Sequence, residues 1–161
     1  MQYSDNFLIF SNTDGFLSTS TVCSFTYKNI TFNCVDQFIF YSKAMLFQDL
    51  ISADRILKEE IPRKQKSLSL KIKNVDPLLW ESKLFGILYV GCREKFTQHL
   101  HLLGHLLDTE DYLIVNASLE DDLGIGMQAS DENVIDMSQW KGLNMLGNAL
   151  MKVRKFLRTI Q

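Results

Sequence analysis

The chain has 161 residues, which is the size of one domain. Its 46% hydrophobic and 22% charged residues are ordinary values for a globular protein, and they exclude the disordered, collagen-like and coiled-coil classes. The net charge is −2, so bulk electrostatics require neither nucleic acid nor a membrane as partner. Any such partner would have to be recognised locally. We expect a single domain over residues 1–161.

Targeting signals and cysteine usage indicate the compartment. No apolar run approaches the roughly 18 residues that a membrane-spanning helix needs. The first basic residue is Lys28, so the start lacks the charged region of a signal peptide. Cys23, Cys34 and Cys92 are odd in number and far apart, with neither a CxxC pair nor the spacing of a zinc site. We therefore expect a cytoplasmic protein whose reduced cysteines pack as small apolar residues.

The first 32 residues carry β patterns. Phe7 to Phe10 is a short apolar run, and the turn residues 12–15 follow it, which predicts a strand and a turn. Apolar and polar residues alternate from Cys23 to Phe32, with Lys28-Asn29 in the middle as a two-residue turn. This second pattern predicts a β-hairpin.

The hydrophobic period becomes helical after the hairpin. Asn33 is a suitable N-cap, and Asp36 three residues later completes an Asx form of the capping box. We predict a helix from Cys34 to about Leu50. A second, shorter helix is predicted over residues 54–60, ending before a proline that disfavours helix in the residue preceding it.

Residues 63–73 are basic and polar and are predicted to form a connector. Asp76-Pro77 then combines a cap with a proline at the first helical position, which predicts a long core helix to about Thr97. The rest of the chain reads as a helical piece, a short β-like run and a final amphipathic helix, over 99–107, 112–115 and 143–157. The fold class predicted is an α-rich α+β domain, mostly helical, with a small N-terminal β-hairpin or sheet.

Charge is unevenly distributed along the chain. Residues 108–136 hold nine acidic residues and no Lys or Arg, whereas residues 141–158 hold five basic residues and no acid. The simpler interpretation is two solvated surfaces. The alternative is a basic C-terminal helix near a phosphate-bearing ligand, and the sequence alone does not place it there.

One face of the helix after the hairpin combines a carboxylate, a lysine and two aromatic rings. Asp36, Phe40, Lys43 and Phe47 follow one another at spacings of four, three and four residues, so they share a face. A rise of about 1.5 Å per residue separates Asp36 and Lys43 by roughly 10 Å, which is too far for a salt bridge. A ligand or another element could fill the gap. The competing interpretation is that Asp36 only caps the helix and Lys43 covers an aromatic surface.

The histidines and the paired glycines give weaker signals. His101 and His105 lie one helical turn apart, but Leu102 stands where an HExxH site has Glu, so we expect no metal. Gly124-Ile-Gly126 lacks the third glycine and helix of a dinucleotide fingerprint and predicts a tight turn. Gly147 inside a predicted helix indicates that another segment approaches closely.

Taken together, these segments resemble the NADAR family, which is named for its association with NAD and ADP-ribose metabolism. The resemblance runs in order over nearly the whole chain and is collective, because no single motif would suffice. The matching pieces are Phe16-Leu17-Ser18-Thr19, Asp36-Gln37-Phe38 reaching Lys43-Ala44, Trp80, Lys95-Phe96-x-Gln98, Leu106-Leu107-x-Thr109, Ala117-Ser118, Gly124-Ile125-Gly126 and the run from Trp140 to Arg154.

The resemblance implies an N-glycosidase that acts without a cofactor. Members resemble enzymes that cleave ribosylated aminouracil intermediates of riboflavin synthesis, or that remove ADP-ribose from guanine in DNA. The family's lysine is thought to form a Schiff base with the opened ribose, so Lys43 inherits the role of nucleophile, and neighbouring Phe40 and Phe47 would keep it neutral by desolvation. Asp36 would assist proton transfer or stabilise an oxocarbenium-like centre. The expected ligand is an ADP-ribosylated or ribosylated base, in DNA or as a free nucleotide.

The resemblance also implies a ligand groove between the face of Asp36 to Phe47 and the loops at residues 16–19 and 116–126. Residues expected to contact the ligand there are Phe16, Ser18, Thr19, Phe40, Asn116, Ser118, Asp121, Gly124, Gly126, Trp140 and Asn144.

Several positions depart from the family pattern. Thr19 and Ser20 replace the usual Asn and aromatic residue, Asn116 replaces a Glu, Leu123 replaces a Trp, and Asp36 is one methylene shorter than Glu. Either Glu120 or Asp121 supplies the lost carboxylate, or catalysis is weakened, or the substrate differs. The alternative function is therefore a catalytically weakened ADP-ribose-binding module, or an inhibitor of an ADP-ribosyltransferase partner.

Overall fold

A computed structural model describes residues 1–12, 15–120 and 122–160. The chain forms two compact units, of which unit 1 comprises Met1–Ser18 and His99–Gln161 and unit 2 comprises Thr19–Gln98. Unit 2 is continuous and interrupts unit 1 in sequence. Helices predominate and the strands are few, which confirms the α-rich α+β class. The elements in chain order are β1 (Gln2–Ser4), β2 (Phe7–Phe10), β3 (Phe25–Tyr27), β4 (Ile30–Phe32), α1 (Val35–Leu46), α2 (Leu50–Lys58), α3 (Pro62–Ser69), α4 (Pro77–Gln98), α5 (Leu100–Leu107), β5 (Leu113–Asn116), a 3-10 turn (Met137–Gln139) and α6 (Met145–Leu157).

Unit 1 is organised around a mixed sheet with the strand order β1-β2-β5. Strand β2 pairs antiparallel with β1 and parallel with β5. Leu8, Ile9 and Phe10 are all buried, which explains the continuous apolar run at 7–10, since parallel strands are covered on both faces. The sequence predicts β2 and β5 as isolated pieces, whereas their pairing joins segments more than 100 residues apart.

Unit 2 opens with the predicted β-hairpin. Strands β3 and β4 pair antiparallel, with Phe25 opposite Phe32. Lys28 and Asn29 connect them with φ angles of 49° and 64°, the two left-handed residues that a type I′ turn requires. The hairpin prediction is confirmed. Phe25 and Phe32 point into the core of the unit, where both are buried.

Helix α1 begins at Val35, and its cap differs from the predicted one. The Cys34 Sγ atom accepts a hydrogen bond from the Gln37 backbone amide at 3.4 Å. The Gln37 Oε1 atom in turn accepts from the Asn33 backbone amide at 2.7 Å. The predicted capping pair of Asn33 and Asp36 is therefore wrong, because the helix begins one residue later and the reciprocal bond moves to Gln37. The Asp36 side chain is therefore not the one that makes the reciprocal capping bond of α1.

The region after α1 is more helical than predicted. Helix α1 ends at Leu46 because Gln48 adopts a φ of 58°, and the Asp49 carboxylate then caps α2 by accepting from the Ser52 amide at 3.1 Å. The connector predicted at 63–73 is wrong over its first part, since α3 occupies Pro62–Ser69. Pro62 opens a helix here rather than only ending one. Buried Gln65 anchors α3 by donating to the Glu59 carbonyl at 2.6 Å.

The long helix and the last helix lie close to their predicted positions. Helix α4 spans Pro77–Gln98, and the Asp76 Oδ1 atom accepts from the backbone amides of the first turn at 3.0 and 3.2 Å. Helix α6 begins at Met145 rather than 143, because Asn144 has a left-handed φ of 50°. Within the described ranges, no helix has the length and apolarity that crossing a membrane requires.

Candidate functional site

The junction of α1 and α4 in unit 2 is unusually close. A Cβ atom on Gly91 would lie 2.9 Å from Phe38 Cδ1 and 3.1 Å from Val35 Cγ1. Real Cβ contacts are almost never that short, so only glycine lets the α4 backbone approach the first turn of α1 this closely. The side chains that follow Gly91 by one turn on the same face therefore point toward the start of α1.

Lys95 is the charged residue at that position. It lies four residues after Gly91, and its side chain is 1% exposed. The amine is 5.5 Å from the centre of the Phe96 ring. Burial lowers the pKa of Lys95, while nearby Cys92, Cys23, Cys34 and Asp36 raise it. The net direction is down, so the neutral amine is more accessible than in a solvated lysine.

Asp36 occupies the first turn of α1. Its backbone amide donates to the Thr19 carbonyl at 3.0 Å, which ties the first residues of unit 2 to the helix. The positive end of the helix dipole favours a carboxylate at this place. Asp36 is half-buried, and it acts electrostatically on Lys95, Cys34 and Cys92. The structure therefore places a carboxylate and a buried amine in one neighbourhood.

Lys43 lies in the last turn of α1, where the helix dipole favours a cation. Its Nζ atom sits 5.2 Å from the centre of the Trp80 ring, within the range of a cation–π contact. Burial lowers the pKa of Lys43. Phe40 and Phe47, the expected aromatic neighbours, pack against the hydrophobic cluster of Ala44, Ala53, Ile56 and Ile72.

Unit 2 also contains an apolar groove of about 700 Å³. Aromatic and aliphatic side chains line most of it, with Lys28 and Lys83 among its residues. Asp36, Lys43 and Lys95 are not among them. The groove is lined by Tyr27, Lys28, Ile30, Phe32, Phe38, Tyr41, Ser42, Met45, Leu46, Lys83, Gly86 and Ile87.

The asparagines predicted to contact ligand in unit 1 hold the loop at 116–126. The Asn144 side chain accepts from the Asn116 backbone amide and donates to the Ile114 carbonyl, both at 3.0 Å. The Asn116 Nδ2 atom donates to the Leu123 carbonyl at 3.1 Å. Both side chains are buried, so they fix β5, the loop and α6 to one another. Among the described residues, the buried Oδ1 atom of Asn116 has no hydrogen-bond partner.

The glycines and Ser118 of the same loop are closely packed. A Cβ on Gly124 would lie 2.1 Å from the Ser118 Oγ atom, which is buried and has no hydrogen-bond partner in the part of the chain that the structure describes. Gly126 has a φ of 69°, as the predicted tight turn requires. Asp121 lies outside the described residues. Glu120 is exposed.

The remaining predicted contacts in unit 1 have aromatic or apolar neighbours. The Phe16 ring lies 5.6 Å from the His105 ring, and Ser18 is 1% exposed. The Trp140 indole donates to the Val134 carbonyl at 3.0 Å and packs beside Phe7. Of the predicted site, unit 2 holds Thr19, Asp36, Phe40 and Lys43, and unit 1 holds the others. Their role in binding stays a prediction.

Thiol and metal chemistry find little support in the described part of the chain. Burial raises the pKa of Cys34 to about 11 and that of Cys92 to about 12, so both are thiols rather than nucleophilic thiolates at neutral pH. All three cysteines are free of disulfides. Among residues 1–12, 15–120 and 122–160, no group of three His, Cys, Asp or Glu side chains is placed to hold a metal ion.

Sequence reasoning gave no role to Lys95. A signal was present, because Lys95 lies eleven residues after Leu84 and seven after Leu88, on the apolar stripe of α4. A lysine on a buried stripe indicates a desolvated amine. Trp80 matches the family pattern in the sequence, but its contact with Lys43 depends on how α1 and α4 pack.

Comparison with solved structures supports the fold. The NMR structure of the E. coli protein YbiA superimposes with a TM-score of 0.79, covering 99% of this chain and 89% of that one. The two sequences are 23% identical, so this likeness concerns the fold alone.

Two relatives are similar in sequence. Protein irg-1 of Caenorhabditis elegans is 36% identical over 137 residues, which are 83% of this chain and 65% of irg-1, just under two thirds of its length. N-glycosidase R617 of Acanthamoeba polyphaga mimivirus is 36% identical over 121 residues, which are 74% of this chain and 71% of the viral protein. The profile of the NADAR domain matches residues 2–158. This chain is therefore a member of the NADAR domain family.

Proposed function

We propose that the protein is a hydrolase that cleaves an N-glycosidic bond between a ribose and a base. The observation that carries this proposal is the half-buried carboxylate of Asp36 together with the desolvated lysine amines of the same compact unit. Covalent catalysis at an anomeric carbon uses a neutral amine, and burial is what makes a lysine neutral near physiological pH. The name of the mimiviral relative, an N-glycosidase, supports the same reaction class.

The substrate class proposed is an ADP-ribosylated guanine in DNA, or a ribosylaminouracil-type nucleotide. In either case the lysine attacks the anomeric carbon, and Asp36 moves the proton. The sequence predicts Lys43 as that lysine, and its 5.2 Å contact with Trp80 keeps its amine partly desolvated. Lys95 is the second lysine of unit 2 with a lowered pKa.

Turnover is the decisive measurement. The protein is incubated with an oligonucleotide carrying ADP-ribosylated guanine and, separately, with a ribosylaminouracil nucleotide, and release of the base or of ADP-ribose is followed. We expect many turnovers per protein on one of the two. An amount of product no greater than the amount of protein would contradict the proposal.

A second candidate function rests on the loop at 116–126. Asn116 stands where the family has Glu, and its side chain is committed to the Leu123 carbonyl at 3.1 Å. Without that carboxylate, the protein would be a catalytically weakened ADP-ribose-binding module or an inhibitor of an ADP-ribosyltransferase. Stoichiometric binding of ADP-ribosylated DNA without release of ADP-ribose is the result that this function predicts.

A further inference from the structure

We propose that Lys95, rather than Lys43, forms the covalent bond to the ribose, with Asp36 as its partner in proton transfer. This inference rests on the proposed function and names the nucleophile of that reaction.

The geometry of α4 carries the first step of the argument. Gly91 brings the helix against the first turn of α1, with the closest approach at Val35 and Phe38. Lys95 follows by four residues and shares that face of α4, and it lies close enough to Asp36 for the carboxylate to act on its charge. Lys43 lies seven residues after Asp36, roughly 10 Å along the axis of α1.

The neighbours of Lys95 in its motif have structural roles. Phe96 is fully buried in the core. The Gln98 side chain accepts from the Thr26 amide at 2.9 Å and donates to the Thr26 carbonyl at 2.8 Å, which fixes β3 to the end of α4. These contacts hold the last turn of α4, which carries Lys95, against β3.

Electrostatics distinguish the two lysines. Groups from three places surround Lys95: Asp36 and Cys34 at the start of α1, Cys23 before β3, and Cys92 on its own helix. The thiols of Cys34 and Cys92 stay uncharged at neutral pH because their pKa values are raised by burial. Asp36, a carboxylate, is then a charged group that acts on the amine. For Lys43 the resolved cause of its lowered pKa is burial alone.

The groups around the Lys95 amine differ in their exposure. Lys95 is 1% exposed, but Asp36 and Cys23 are half-buried. Asp36 and Cys23 are thus the members of the group around the Lys95 amine that solvent reaches in part. The amines of both lysines lie near an aromatic ring, Lys43 Nζ 5.2 Å from the centre of Trp80 and Lys95 Nζ 5.5 Å from that of Phe96, so the ring contact does not distinguish them.

The reaction balances with one water molecule consumed. The neutral Lys95 amine attacks the anomeric carbon, a carbon–nitrogen bond forms, and the bond to the base breaks. The base leaves with the electron pair of that bond and takes up one of the two protons of the attached amine. The attached amine passes a proton through Asp36 to the ring oxygen as the ring opens, which leaves a Schiff base. Addition of water to the Schiff base then releases the sugar and regenerates the free amine.

Reductive trapping tests the assignment. The protein is incubated with ADP-ribose, whose open-chain aldehyde forms the same Schiff base, and borohydride reduces the product to a stable secondary amine. Trypsin does not cleave after a modified lysine, so peptide mass spectrometry locates the adduct. We expect it on the peptide that runs through Lys95.

Three variants accompany the wild type. Lys95→Met keeps an unbranched side chain of similar length in the buried position, Lys43→Met removes the other candidate, and Lys83→Met removes an exposed lysine of the same helix as a control. Thermal melting confirms that each is folded. We expect the adduct to be lost in Lys95→Met and kept in the other two variants, and turnover to fall at least 100-fold in Lys95→Met but not in Lys83→Met.

The outcomes separate this inference from the proposed function. An adduct on Lys43, or wild-type turnover in folded Lys95→Met, overturns the inference while the N-glycosidase function stands. An adduct on Lys95 without turnover of either substrate supports the inference for the Schiff-base step and counts against the hydrolase function. If Lys95→Met does not fold, the position of the wild-type adduct decides alone. Neither adduct nor turnover in the wild type would overturn both.

Discussion

Asp36 is one of the groups that act on the pKa of the buried Lys95 amine. Burial lowers the pKa of Lys95 and the charge of Asp36 raises it, so the two effects oppose each other. The amine must lose its proton before it can attack, whereas the carboxylate must accept that proton. In the proposed mechanism, Asp36 acts twice, through its charge before the reaction and through its basicity during it.

The substitution Asp36→Asn separates these two effects. Removing the negative charge removes a cause that raises the pKa of Lys95, so the pKa falls further. Activity that depends on the neutral amine rises with pH through that pKa, and we expect this rising limb of kcat/KM to move to lower pH. The maximum should fall roughly 100-fold, as for loss of a positioned acid or base. Measuring kcat/KM against pH for both proteins tests this.

A control on stability belongs with that experiment. Gln37, not Asp36, makes the reciprocal capping bond of α1, so Asp36→Asn should change the melting temperature little. An unshifted rising limb would indicate that Asp36 does not act on the nucleophile. Lys43 as nucleophile predicts that unshifted result, since Asp36 is not among the causes of its lowered pKa.

Individual residues of the site were only partly predictable from the sequence. Spacing along one helix placed Asp36 and Lys43 on α1, because helical periodicity is local. The neighbours of each amine depend on how α1 and α4 pack, which no local pattern contains. The Lys95-Phe96-x-Gln98 motif is apparent in the sequence. The burial of Lys95 is not, because it depends on the close approach of α4 to α1 at Gly91.

At the scale of elements, the close packing of α6 on β5 depends on Gly147, because glycine has no side chain. A Cβ on Gly147 would lie 2.0 Å from the Ile114 carbonyl oxygen and 2.6 Å from the Asn144 side chain. The same carbonyl accepts a hydrogen bond from Asn144. The close approach predicted from a glycine inside a helix is confirmed.

Gly147→Ala should therefore destabilise the protein although alanine is the better helix former. The methyl group forces α6 away from β5 and breaks the Asn144 contacts, so we expect a loss of about 3 kcal/mol or more in the free energy of unfolding. Gly86→Ala in α4 is the matched control, because nothing lies within 4 Å of its Cβ. That variant should gain up to about 1 kcal/mol. Urea unfolding of both variants measures these changes in the free energy of unfolding. Equal changes in the two variants would contradict the prediction.

Arg154 in α6 fastens the segment that leads into β5. Its guanidinium donates to the Thr109 hydroxyl at 2.7 Å, to the Thr109 carbonyl at 3.2 Å and to the Tyr112 carbonyl at 2.9 Å. The side chain is 6% exposed. This basic residue of the C-terminal helix thus has a structural role, and the simpler interpretation of the basic block as wholly solvated does not hold for it.

Replacing Arg154 by Met should cost at least about 2 kcal/mol of unfolding free energy, because the buried acceptors of Thr109 and Tyr112 lose their donor. Lys155→Met at the exposed neighbouring position should change it by no more than about 0.5 kcal/mol. Chemical denaturation measures both. A loss of similar size in the two variants would mean that charge, rather than the buried hydrogen bonds, is responsible.

The elements themselves were predicted unevenly. The β3–β4 hairpin and α4 carry their own signals, a two-residue turn and an Asp-Pro start, so local reasoning sufficed. Helix α3 is rich in lysine and lacks an apolar stripe, and it is anchored by Gln65 through bonds to the Glu59 carbonyl and the Asn33 side chain. Strand β1 is short and polar, and it forms by pairing antiparallel with the free edge of β2. Both α3 and β1 therefore depend on contacts with other segments, which no pattern within their own sequences shows.

At the scale of the whole molecule, the two units differ in charge. Residues 19–98 contain twelve Lys and Arg and eight Asp and Glu, a net charge of +4, whereas the remainder contains five and eleven, a net charge of −6. The chain total of −2 hides this asymmetry. Much of the positive charge lies at 63–73, where five basic residues occur without an acid and all are exposed. Phosphates of a DNA substrate would be attracted there rather than to unit 1.

This asymmetry predicts how salt distinguishes a DNA-borne substrate from a free nucleotide. Each phosphate that a cation neutralises contributes about 0.9 to the slope of log affinity against log salt. For an ADP-ribosylated oligonucleotide, we expect the salt slope of kcat/KM to become shallower by about 0.9 in Lys64→Gln, because Lys64 lies exposed on α3. Lys155→Gln, also exposed but on α6 of the acidic unit, should leave the slope unchanged, and a free nucleotide should show no difference among the three proteins.

Equal slopes for wild type and Lys64→Gln on the oligonucleotide would mean that Lys64 on α3 does not contact DNA. An effect of Lys155→Gln as large as that of Lys64→Gln would place the phosphates on the other unit, against the charge that its sequence carries.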